Sequence, residues 1–181
     1  HYPLRRQRQM CIRDRCSSET KTIIGGVRKV SQADFSETLD SLEYASREDR
    51  RKIIRKTLKT LRDNPELLIV YLDWAKNVLQ DRKLSALVLG TLGNLGTKKA
   101  QKELVSIFKN ANSSTYYLQT QVMNTFTLIK KPLTQNAREF LREQVQDTES
   151  VMSEGAAYAL GTGAQNEPES VASNEDMNYL M

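Results

Sequence analysis

Six cations at helical spacing are the residues of this chain best placed to do chemistry. Arg51, Lys52, Arg55, Lys56, Lys59 and Arg62 lie in one predicted helix, residues 47–63. At 100° per residue they fall within an arc of about 140°. Ile53, Ile54, Thr57, Leu58 and Leu61 occupy the other side. A basic face of this kind can hold phosphates or rest on an anionic membrane surface. It can equally be a solvated face whose long side chains cover a neighbouring helix, the commoner case in soluble proteins. No aromatic residues interleave with the cations, so specific stacking on nucleic-acid bases is not indicated. A nucleic-acid binder would need the basic face to continue into neighbouring helices.

Tyr116 and Tyr117 form the second candidate. They are adjacent at a helix start, so one must face out, and an exposed Tyr is a plausible contact residue. Tyr44, Tyr71 and Trp74 could line a groove, but aromatics at helical spacing are more often core. Glu139 with Glu143, and Glu66 with Asp73, suggest paired carboxylates. No nucleophile or catalytic His accompanies them, so they read as surface charge and the chain as no enzyme. Cys11 and Cys16, five apart, with His1 as the single His, make no metal site of familiar spacing. Gly90, Gly93 and Gly96 follow no strand and lack a Lys-Ser/Thr ending, so they are not a phosphate loop. Close helix packing and helix termination explain them better. No cofactor or metal is expected.

Eight predicted helices position these residues. Ser31 and Ser46 open the first two with capping boxes, Asp34 and Asp49 three residues on. Asn64-Pro65-Glu66 opens a third, with an Asn cap, Pro at the first position and an acid in the first turn. Asp81 caps a fourth bearing Leu84, Leu87, Val88, Leu92 and Leu95 and stopped at Gly96. Thr97 opens the fifth and Thr134 the seventh; the sixth carries Leu118, Val122, Phe126 and Ile129. Thr148 caps the eighth, with Val151, Ala156, Ala157 and Leu160. Short loops make the helices antiparallel pairs: one with two, three with four, five with six, seven with eight. The expected apolar spine is Leu87, Leu92, Leu104, Phe108, Val122, Phe126, Phe140, Leu141 and Leu160.

One phrase recurs. Thr97-Lys-Lys-Ala100-Gln-Lys-Glu-Leu104 and Thr134-Gln-Asn-Ala137-Arg-Glu-Phe-Leu141 share Thr-x-x-Ala-x-x-x-Leu, and Leu92-Gly93 returns as Leu160-Gly161. A period of this size marks a stacked helical solenoid. Residues 82–163 resemble HEAT-like repeats, above all in Ala86-Leu-Val-Leu-Gly-Thr-Leu-Gly-Asn-Leu-Gly96 and Gly155-Ala-Ala-Tyr-Ala-Leu-Gly161. The Trp-x-x-Leu-Gly phrase of tetratricopeptide repeats is absent. The resemblance implies an all-α, right-handed solenoid of about four helical hairpins over residues 31–163. It also implies a non-catalytic scaffold that presents a concave helical face to a protein partner. The same phrase is similar to the superhelical region of vitellogenin-type lipid-transfer proteins, so a lipid-carrier module is an alternative. A nucleic-acid or anionic-surface binder using helix 47–63 is another, although a protein and not nucleic acid is the expected partner.

Charge and termini complete the reading. The 181-residue chain carries a formal net charge of +5. Residues 1–15 hold Arg5, Arg6, Arg8, Arg13 and Arg15 against Asp14; without them 22 basic residues face 21 acidic ones, a balance of +1. Met10-Cys-Ile-Arg-Asp-Arg15 resembles the translation of a transposon adapter used for sequencing libraries, so 1–15 are set aside from fold reasoning. Residues 1–30 are expected to be a disordered or artefactual segment and linker, ending near Gly25-Gly26. Residues 164–181 are acidic and lack Lys and Arg, and read as a flexible tail or a truncated further repeat. Cys16-Ser-Ser matches the start of a mature lipoprotein if a signal peptide precedes it; otherwise the compartment defaults to the cytoplasm. No run of 18 apolar residues is present, so no transmembrane helix is expected.

Overall fold

The computed structural model describes residues 29–112, 115–147, 150–167 and 170–180. Cys11, Cys16, the Arg5–Arg15 cluster, Gly25-Gly26 and the expected cap Thr148 lie outside them. Nine α-helices and one short 3-10 turn, with no strand, make up the regular structure of the described residues.

Side-chain caps set most of the starts. Helix α1 is Gln32–Tyr44, with the Ser31 hydroxyl accepting from the Asp34 amide. Helix α2 is Arg47–Asp63, capped by Ser46 on the Asp49 amide. Asp81 accepts from the amides of Lys83 and Leu84 to open α4, Arg82–Leu95. Thr97 and Thr134 do the same for α5, Lys98–Asn110, and α7, Gln135–Gln146, each accepting from an amide three residues on. The recurring threonines are therefore equivalent caps, each satisfying an otherwise orphaned donor of its first turn.

Four boundaries depart from expectation. Asn64 does not cap a third α-helix. Its side-chain amide instead donates back to Thr60 O, and Pro65–Leu67 forms a 3-10 turn before α3, Leu68–Val78. Helix α6 is Tyr116–Phe126, so Ile129 is buried in the following turn and not on the helix. Helix α8, Ser153–Asn166, starts after Val151, which is 76% exposed instead of core. It also runs through Gly161 and Gly163 without stopping, and Leu133 lies against Gly163 where a side chain would stand. Within 164–181, Val171–Leu180 forms α9.

The helices pack in two layers. The even-numbered helices form an unbroken row, α2 on α4, α4 on α6 and α6 on α8. Among the odd ones, α1 packs on α3, α5 on α7 and α7 on α9, while α3 and α5 share at most marginal contact. Each even helix also packs on the odd helix before it in the chain, and α9 packs on α8. A continuous apolar core runs between the layers from Phe35 through Tyr71, Leu92, Leu104, Phe126 and Phe140 to Leu160. Phe140 is its aromatic junction, with Phe108 edge-on at 4.9 Å and Phe126 tilted at 6.0 Å.

Two core expectations need correction. Leu87 is only partly buried, and Tyr44, at the end of α1, is 88% exposed. Tyr71 and Trp74 are core, and burial pushes the Tyr71 phenol above its ordinary pKa, only partly opposed by the Thr91 hydroxyl.

Candidate functional site

Polar side chains at equivalent points of the repeated phrase join one hairpin to the next. Gln101 follows Ala100 and is buried; its amide donates to Gly96 O at 3.0 Å and to Pro132 O at 2.9 Å, while its carbonyl accepts from the Thr134 amide at 2.8 Å. Arg138 follows Ala137 and is buried in the same way, its Nε donating to Leu133 O at 3.2 Å. Each reaches five residues back along its own chain and forward into the next hairpin. Neither was singled out from sequence. The repeated phrase does not distinguish them, because the next position, Lys102 and Glu139, is also polar in both copies and is exposed.

Arg138 reaches forward to acids. It pairs with Asp176, whose side chain is fully buried, and with Glu167 Oε2 at 2.6 Å. Arg142, one turn further along α7, donates from Nε to Asp176 Oδ1 at 2.8 Å and pairs with Glu175 at 3.2 Å. Its guanidinium sits 5.0 Å from the Tyr179 ring centroid. Burial disfavours the Arg142 charge more than any one partner favours it, but Asp176 and Glu175 together outweigh burial and hold the Arg142 pKa above its ordinary value. Two arginines thus clasp α9 to α7. This accounts for an acidic C-terminal segment without basic residues of its own: its counter-charges are on α7.

The eight candidates read from sequence occupy two separate places. Arg51, Lys52, Arg55, Lys56, Lys59 and Arg62 are all exposed along α2. Lys52 is engaged within its own helix, 3.9 Å from Glu48 and 3.5 Å from Asp49. Asp49 is held below the ordinary carboxylate pKa first by the Ser46 hydroxyl and then by Lys52. Arg62 donates to Asn94 O at 3.3 Å, at the end of α4. Tyr116 and Tyr117 lie at the opposite ends of the helices, beside the α3–α4 turn. Tyr116 is 44% exposed. Tyr117 is a tether: its hydroxyl donates to Leu79 O at 2.9 Å and lies 3.1 Å from Gln80 O, and Arg82 covers its ring at 5.0 Å. Of the pair, Tyr116 is the one open to a partner.

Beyond α2, the outward face of the even layer carries few charges. Ala86, Gly90 and Asn94 on α4, Thr120 and Asn124 on α6, and Tyr158 on α8 point to solvent or lie at the surface. Tyr158 is 71% exposed, and nothing stands within 4 Å of where a Cβ at Gly90 would be. Gly90 therefore does not serve close packing, contrary to expectation, whereas Gly93 and Gly96 do. Among the described residues, no three His, Cys, Asp or Glu side chains group as a metal site would, and no helix is long and apolar enough to cross a membrane. No family model matches this chain, and no curated protein or solved structure matches it.

Proposed function

We propose that this chain is a right-handed α-solenoid of HEAT-like hairpins that acts as a non-catalytic scaffold for a protein partner. Two features support the solenoid. Helices pack on their second neighbours in two layers, and side-chain hydrogen bonds that reach beyond one hairpin join residues 29 to 38 apart. That separation is one repeat, as expected when each unit touches only its neighbours.

The observation that carries the binding role is the uncharged strip across α4, α6 and α8. In a chain with 27% charged residues, a surface running from Ala86 and Gly90 through Asn94 and Asn124 to Tyr158 shares with interface cores a depletion of charge. Tyr158 is its anchor. The cations of α2 flank it as a rim. The even layer, being continuous, takes the inside of the curve, so the strip lines the concave face.

Site-specific photo-crosslinkers test this. Placed at Asn124 or Tyr158 they should yield a discrete partner adduct that Asn94→Arg abolishes. Crosslinkers at Lys99 or Glu139, on the odd layer, should yield none. Equal yields from both layers, or no adduct from the even layer, would remove the proposal.

A further inference from the structure

The basic face of α2 does not end with that helix. The hydrogen bond from Arg62 to Asn94 O brings the end of α2 to the end of α4. There Gly96, with φ of 55°, turns the chain directly into Lys98 and Lys99. The next turn lies against the same point: Lys131 Cβ is 3.5 Å from where a Cβ at Gly96 would stand, and Gln101 bonds both Gly96 O and Pro132 O. Lys59, Arg62, Lys98, Lys99, Lys130 and Lys131 therefore follow one another along a single edge of the molecule. All six are exposed, and none forms an ion pair with the described residues. Asp63 and Glu66 are the acids at its α2 end, and Glu167, paired with Arg138, closes the other. Helix α5 has no acid in its first turn, where Lys98 and Lys99 stand against the positive end of the helix dipole. Positive charge is thus accumulated along the edge at a cost, with acids at its two ends and no ion pair between them and the six cations among the described residues.

We propose that this edge binds the phosphate backbone of duplex nucleic acid without sequence preference, a role beyond the protein-scaffold reading. Two steps between packed helices make the ridge about 20 Å long, against ~34 Å for one duplex turn. Lysines on flexible stems suit phosphates, which are point charges in a regular row. Ile69 and Leu128 are the large apolar side chains exposed near this edge, and they stand singly. A membrane surface would require an apolar face to insert, and an acidic protein would require apolar anchors.

The test measures binding of the full chain to a labelled DNA duplex across a salt series. The comparison is with a variant carrying Lys98→Gln, Lys99→Gln, Lys130→Gln and Lys131→Gln. The arginines of residues 5–15 are present in both proteins and cancel. The variant should lose at least about tenfold in affinity at low salt, and its log–log salt slope should flatten by about one for each lysine that touches a phosphate. Lys83→Gln with Lys109→Gln, at the opposite ends of α4 and α5, should change neither. Any of three results overturns the proposal. The ridge variant binds like the parent, the control variant loses as much per charge removed, or the parent binds phosphatidylcholine vesicles with about 30% phosphatidylserine but not the duplex. Unchanged far-ultraviolet circular dichroism and thermal midpoint in the variants keep a folding defect from imitating the expected loss.

Discussion

Arg138 and Gln101 show how much one repeated position can do. A buried polar side chain must find its partners inside the protein, and both find them across the junction between hairpins. Breaking such a connection costs more than the bond is worth, because the abandoned group stays buried. Arg138→Met leaves Asp176 with Arg142 alone and Glu167 with neither arginine. It should destabilise by about 3 kcal/mol in urea unfolding, the low end for a broken buried ion pair because Arg142 still neutralises Asp176. A loss below about 1 kcal/mol, the range of exposed pairs, would mean the clasp is open in solution. Burial also separates two leucines that the sequence places in one spine. Leu104 is fully buried and Leu87 is not. Leu104→Ala should cost about 2–5 kcal/mol. Leu87→Ala should cost clearly less, and equal losses would contradict the difference in packing.

Within the elements, three glycines spaced three apart have three different roles. At Gly93 a Cβ would stand 2.7 Å from Thr125 Cγ2 and 3.0 Å from the Thr125 carbonyl, so α4 and α6 meet there through bare backbone. Gly93→Ala should cost about 1–3 kcal/mol through forced displacement. Gly96 takes the left-handed conformation that ends α4, where an L side chain is strained by about 1–2 kcal/mol. Gly90 faces open space in mid-helix, so Gly90→Ala should stabilise by about 0.5–1 kcal/mol. Thermal melts of the three alanine variants should rank them in that sense. Destabilisation by Gly90→Ala would show that something occupies the space above it.

The caps of α2 and α4 carry a pH dependence. Amides of Leu84 and Lys83 hold the Asp81 carboxylate below its ordinary pKa, and the Ser46 hydroxyl does so for Asp49. A folded-state pKa below the unfolded one gives stability that is present above the unfolded value, about 4, and is lost as pH falls through the folded value. Acid unfolding should therefore begin below about pH 4 with these two helix starts contributing. Asp81→Asn keeps an acceptor without the charge and should flatten the loss between pH 4 and pH 2, as followed by circular dichroism. An unchanged acid profile would show that Asp81 does not titrate as a cap.

At the scale of the whole molecule, what was legible in the sequence is what repeats. Helix existence, the capping threonines and most of the apolar spine follow from local spacing, because those residues act within their own helix or hairpin. Arg138, Gln101 and the placement of α9 were not legible, since their partners lie about one repeat away and no local pattern marks a polar residue as buried. The eight candidate contact residues fell into two places for the same reason: spacing locates a face on a helix, not which helices share an edge. The packing order has a consequence for stability. Helix α1 packs on α2 and α3, and α9 on α7 and α8, so the two ends are connected only through the helices between them. In a nearest-neighbour array a lesion at one end should stay there. Asp176→Asn removes the buried charge that both arginines share. Hydrogen exchange should then quicken at least about tenfold in α7–α9 while the slowest amides of α1–α3 keep their rates. If instead every slow amide in the chain shifts by the same factor, the described helices unfold as one cooperative body, and the array of independent neighbours is the wrong description.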